Sequence, residues 1–94
     1  MASNEIYIQV VGRIIKEQEN IIGPVALEQA QRVSGLKVNS PSDIFISGNA
    51  KAVLESLVKQ YEKLFGRASI EVCREAIQSF RPKLAVDDLP AVLQ

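Results

Sequence analysis

Histidine and tryptophan are both missing from this 94-residue sequence, cysteine and methionine occur once each, and aromatic residues make up only 5%. Each scarcity removes a class of function. Without histidine the chain lacks the side chain that most often acts as a general base near neutral pH and most often ligates zinc, so no zinc site is expected. A single cysteine cannot form an internal disulfide, which points to a reducing, cytoplasmic setting. Eleven basic residues balance eleven acidic ones, so no overall positive field draws the chain to phosphate backbones or anionic lipid. No apolar run approaches the roughly 20 residues that span a bilayer. The opening MASNEIYIQVV places Glu5 before its apolar stretch and does not read as a secretory signal.

What is present is helical periodicity. Ile6, Val10, Val11, Ile14, Ile15, Ile21 and Ile22 recur at the spacing of one helix face, with Arg13, Lys16, Glu17 and Glu19 on the other side. Val53, Leu54, Leu57, Val58, Tyr61, Leu64 and Phe65 repeat the arrangement among Lys51, Glu55, Lys59 and Glu62. Offset by 43 residues, VVGRIIKEQENIIGPVALEQA lies over VLESLVKQYEKLFGRASIEVC without a gap. Val10/Val53, Lys16/Lys59, Glu19/Glu62, Gly23/Gly66 and Glu28/Glu71 are identical in that alignment. Any two amphipathic helices share apolar positions. A glycine in register between flanking glutamates is additional information.

Gly23 and Gly66 read as helix stops, because a residue of positive φ satisfies the last carbonyls and glycine adopts it without a Cβ penalty. Pro24 cannot continue the first helix but suits the first turn of the next. Arg67 stands at the equivalent place in the second copy and sets a positive charge at a helix start. Shorter helices follow, one ending at Ser34-Gly35 and the other at about Arg81, before Pro82. The expected fold is therefore all-α: one domain of two pseudo-symmetric helical hairpins packed as a four-helix core. Copy one spans about residues 4–35, a connector 36–48, copy two about 49–81 and a tail 82–94.

The connector LKVNSPSDIFISGN holds turn residues and the apolar trio Ile44, Phe45 and Ile46. Ser40-Pro41-Ser42-Asp43 fits a helix start, and we read a short helical turn there, although a strand or a buried loop fits the same residues. LAVDD after Pro82 echoes LKVNS, so each copy is expected to end in a similar extended stretch. Ser47 and Asn49 are alternative caps for the long helix that follows. Ile44, Phe45 and Ile46, with Leu89, Val92 and Leu93 of the tail, lie outside the main periodic faces. They either fold back on their own core or form an interaction surface.

No catalytic, cofactor-binding or metal-binding residues are assigned. Cys73 aligns with Ala30 on an apolar face and reads as a small core residue. Glu19/Glu62 and Glu28/Glu71 would make a paired-carboxylate site only if the copies brought them together; solvated pairing of Glu28 with Arg32 and of Glu71 with Arg67 is the simpler reading. The five glycines form no phosphate-cradling motif and read as helix breakers. Two helix corners raise the alternative of a nucleic-acid-binding helix-turn-helix. Its second helices would offer Glu28, Gln29, Gln31 and Arg32, or Arg67, Glu71, Arg74 and Glu75, and the interspersed acids suit phosphate poorly.

At IIGPVALEQA the chain resembles a helical segment found near the ends of some bacterial multidomain signalling proteins, including kinases and cyclases, in which an IGPIA core joins an amphipathic helix to an alanine-bearing one. The matching residues are Ile22, Gly23, Pro24, Val25, Ala26 and Ala30, within residues 8–33, with a degenerate second match, LFGRASIEVC, within 51–76. Arg67 and the presence of two copies depart from the pattern. The resemblance implies a regulatory or interaction accessory and identifies no ligand. Together these readings anticipate a small non-catalytic protein-interaction module of bacterial signalling. Its expected partner is another protein, and surplus apolar stripe on the first or third helix is expected to make it a homodimer.

Overall fold

The computed structural model describes residues 3–94. Helix α1 runs Asn4–Ile22 and α2 Val25–Ala30; strands β1 (Leu36–Ser40) and β2 (Asp43–Ile46) follow, then α3 (Ala50–Phe65) and α4 (Ala68–Ile77). Short 3-10 turns at Gln78–Lys83, Val86–Asp88 and Ala91–Leu93 complete the described chain. The all-α expectation is thus corrected: a two-stranded antiparallel sheet accompanies the four helices.

Local chemistry explains both helix starts. The Ser3 side chain accepts the Ile6 N–H at 3.3 Å and Asn49 Oδ1 accepts the Ala52 N–H at 3.0 Å, each satisfying a first-turn donor. Of the two alternatives for the second long helix, Asn49 is the cap. Both helices stop at glycine. Gly23 has φ 75° and ψ −155°, Gly66 φ 80° and ψ −169°, a region essentially reserved for glycine. Gly23 N–H reaches Glu19 O at 2.9 Å, and Gly66 N–H reaches Glu62 O at 2.8 Å. Beyond the corner, Ala26 N–H bonds Gly23 O at 3.0 Å as Ser69 N–H bonds Gly66 O at 3.1 Å. The two corners therefore match bond for bond at the 43-residue offset.

Nothing lies within 4 Å of a Cβ built on Gly23 or Gly66, so substitution there isolates the backbone cost. Gly23→Ala and Gly66→Ala should each destabilise by about 1 kcal/mol, lowering the melting temperature by about 4 °C or more. An unchanged melting temperature in both variants would contradict this account of the corners.

Side chains repeat the symmetry across the core. Gln18 on α1 donates from Nε2 to the Ser69 carbonyl of α4 at 3.2 Å, while Tyr61 on α3 donates from its hydroxyl to the Ala26 carbonyl of α2 at 2.6 Å. Gln18 aligns with Tyr61 and Ser69 with Ala26 in the repeat, so the two bonds are counterparts. The core between them contains Val10, Val11, Ile14, Ile15, Leu54, Leu57, Val58 and Ile77, all at or near zero exposure.

The connector is a hairpin, which corrects the helical turn expected at Ile44–Ile46. Leu36 pairs with Ile46, Lys37 with Phe45 and Val38 with Ile44, and a bulge at Asn39 adjoins the turn. Three apolar residues, two of them β-branched, are too few to nucleate a helix, and Leu36 and Val38 alternate with Lys37 and Asn39 at strand period. Ser40 caps no helix. Its Oγ instead accepts the Ser42 N–H at 3.3 Å inside the turn. Gly12, which we expected to act as a helix breaker, lies within α1 and is buried; a Cβ there would sit 2.5 Å from Pro41 O. Its missing side chain is what lets the hairpin turn rest on the helix.

The second copy ends differently. LAVDD is no strand: Leu84 and Ala85 are extended and Val86–Asp88 form a 3-10 turn, closed by Asp88 Oδ2 accepting the Ala85 N–H at 2.9 Å. Pro82 lies inside a 3-10 turn continuing from α4 instead of following its end. The tail then folds onto the core, with Leu89 and Leu93 fully buried, and Tyr7 donates to Asp88 O at 2.6 Å.

Candidate functional site

The structure sorts the six candidate interaction residues. Ile46, Leu89 and Leu93 are buried and Ile44 and Val92 partly so; all five pack into or against the domain's own core. Only Phe45 is exposed, at 60%. Tail and connector therefore spend most of their apolar surface internally, which removes them as one docking surface.

A different apolar patch appears where the two corners meet. Gln18 of α1 lies against the start of α4, and Tyr61 of α3 against the start of α2, so both long helices end, and both short ones begin, at the same end of the domain. Gly23, Pro24 and Gly66 shape that end. There Ile21 is 64% exposed, Leu64 47% and Phe65 37%. Ile21 and Leu64 are repeat counterparts. A cleft of about 100 Å³ runs between Ile21, Ile22, Phe65, Ala68 and Val72, with Gln18 and Ser69 at its floor. The apolar stripe left over on the first and third helices is confined to these last turns. Composition could not reveal this patch, but the aligned apolar pairs immediately before each glycine were its signal.

The polar candidates do not gather into a reaction centre. Glu19 lines a groove of about 520 Å³ beside the hairpin turn, with Lys16 and Phe80. Glu62 lines another, of about 640 Å³, with Arg67, Glu71 and Arg74. Glu71 pairs with Arg74 at 3.1 Å, three residues on, which corrects the expected pairing with Arg67; Glu28 forms no ion pair with Arg32. The remaining ion pairs among the described residues are Arg13–Glu17 and Lys59–Glu55, both on exposed helix faces. Among the described residues no three His, Cys, Asp or Glu side chains gather around a common point.

Cys73 is fully buried beneath Gln18 Nε2, 3.7 Å away. Burial raises its thiol to about 11, against a smaller lowering by the Gln18 bond. At neutral pH it is a protonated, inaccessible thiol, the opposite of an activated nucleophile. Burial likewise holds the Tyr61 hydroxyl well above the ordinary phenol value, with Cys73 and Glu19 adding to the effect. Tyr7 is raised for the same first reason. Both phenols are therefore neutral donors to backbone carbonyls.

Among the described residues no helix is long and apolar enough to cross a membrane. No family model matches the chain, and no curated protein or solved structure matches it significantly. The assignment of function therefore rests on the geometry.

Proposed function

We propose that this chain is a small non-catalytic protein-interaction module of the regulatory kind, with the corner end as its docking surface. The observation that carries the reading is the exposure of Ile21 and Phe65 on an apolar cleft, with Leu64, the neighbour of Phe65 in the last turn of α3, exposed as well. Contiguous apolar surface of this sort on a small domain marks contact with another protein, and the cleft suits an apolar anchor from a partner helix. The buried thiol, the scattered carboxylates and the absence of histidine support a role without chemistry. The resemblance of IIGPVALEQA to accessory segments of bacterial signalling proteins supports the same role, because its glycine-proline core is the corner that presents Ile21.

The test is affinity capture from the source cell with wild type and Leu64→Glu. Leu64 is exposed, so the substitution should leave thermal stability within about 0.5 kcal/mol of wild type. A charge introduced into the apolar surface of the corner end should weaken capture of the specific partner by about thirtyfold, the scale of a 2 kcal/mol hot spot. Equal capture by both proteins, or no specific partner with wild type, would refute the corner end as a docking surface.

A further inference from the structure

At the corner end the two copies differ in charge. The acids recur in both, Glu19 with Glu62 and Glu28 with Glu71, but Asn20 and Pro24 of copy one align with Lys63 and Arg67 of copy two. Lys63 and Arg67 are both exposed. Among the described residues neither side chain forms a hydrogen bond or an ion pair, whereas Glu71 is held by Arg74. Lys63 lies in the last turn of α3, where a helix favours a cation. Arg67 has no such local reason. It stands at the start of α4 without a side-chain capping bond, where the helix dipole opposes its charge. Its φ of −65° would suit proline as well as the −58° of Pro24 does. Ala68 lines both the apolar cleft and the groove of about 640 Å³ that Arg67 lines with Glu62, so an unpaired cation borders the apolar patch.

We infer that Arg67 selects the partner of the corner end: a segment whose apolar side chain enters the cleft beside Ile21 and Phe65 and whose neighbouring carboxylate meets the Arg67 guanidinium. The inference rests on the corner end being a docking surface, and it adds the partner's chemistry and direction. Within the chain Arg67 opposes a helix dipole and pairs with nothing. A partner carboxylate turns the same charge into a favourable contact, because the planar guanidinium binds that group through two parallel bonds. Lys63, next to Leu64, adds a second positive charge on the same side. Direction follows from the repeat. Ile21 and Leu64 are counterparts, so an apolar anchor alone would dock in two opposite senses. Pro24 on one side and Arg67 on the other make those senses unequal, and the partner's acid lies over copy two. Glu19 and Glu62 are alike in the two copies and do not distinguish them.

Selection of phage-displayed random peptides on the full chain tests it. Peptides held by wild type and released by Leu64→Glu are ligands of the corner end. They should carry an apolar residue with Asp or Glu close by. Synthesised, they should bind Arg67→Pro about tenfold more weakly, and Arg67→Glu should select peptides with Lys or Arg in place of the acid. Arg67→Pro copies Pro24 and should raise the melting temperature by about 2 °C or more, so weaker binding by a more stable protein is no folding defect. If no peptide depends on Leu64, the docking surface itself fails and the proposal with it. Leu64-dependent peptides that lack acids, or that bind wild type and Arg67→Pro equally, overturn the proposal and leave the docking surface standing. Sedimentation reads a second copy as the occupant: a mass rising above 10.3 kDa in wild type but not in Leu64→Glu would also overturn the proposal.

Discussion

Tyr61→Ala should cost this domain about 3–5 kcal/mol, the largest loss expected from any single substitution considered. Tyr61 is fully buried, so truncation empties a ring-sized volume between α3 and α2 and removes the 2.6 Å bond to Ala26 O. A domain of this length has about 5–14 kcal/mol of stability in total, so the variant should be folded only marginally at physiological temperature. Tyr61→Phe separates the two contributions. It keeps the ring and deletes the donor, and should lose about 0.5–1.5 kcal/mol. Urea melts with a common slope would measure both. If Tyr61→Ala and Tyr61→Phe lose equal amounts, packing is not what the ring contributes.

Gly12→Val should destabilise by about 3 kcal/mol, the upper part of the range for overpacking a core. The added Cβ would lie 2.5 Å from Pro41 O and 3.2 Å from Ile44 Cδ1. The first neighbour is backbone and cannot rotate aside, so the hairpin turn must lift off α1. Gly12→Ala makes the comparison sharper. Alanine favours a helix over glycine by about 1 kcal/mol, so propensity alone has it stabilising, whereas the contact has it destabilising. A melting temperature raised by Gly12→Ala would show that the hairpin does not rest there.

Much of the helical framework was legible because its determinants are local. The end of α1 at Ile22 and of α3 at Phe65 follows from glycines whose φ is positive for a reason confined to one residue, and the 43-residue offset carried the corner geometry with it. The hairpin was not legible in the same way. Ile44–Ile46 is compatible with helix or strand by itself, and the choice is made by pairing with Leu36–Ser40, which no local window contains. Gly12 shows the same limit, since a close approach to Pro41 leaves no mark within its own helix. Of the candidate interaction residues, five turned inward because the short helices α2 and α4 leave space that the hairpin and tail fill. Gln18 did carry a usable signal: it is a polar residue inside an apolar stripe, at the position aligned with Tyr61, and such a residue needs a buried partner.

The reciprocal bonds of Gln18 and Tyr61 bear on how the domain comes apart. Each helix pair supplies the donor for the other pair's second helix, and each covers the apolar face of the other. A half-chain would keep its helix corner but expose that face, together with a polar group that has lost its acceptor. The two halves should therefore melt as one cooperative unit, and amides on either side of the hairpin should exchange through a single global opening instead of two independent ones.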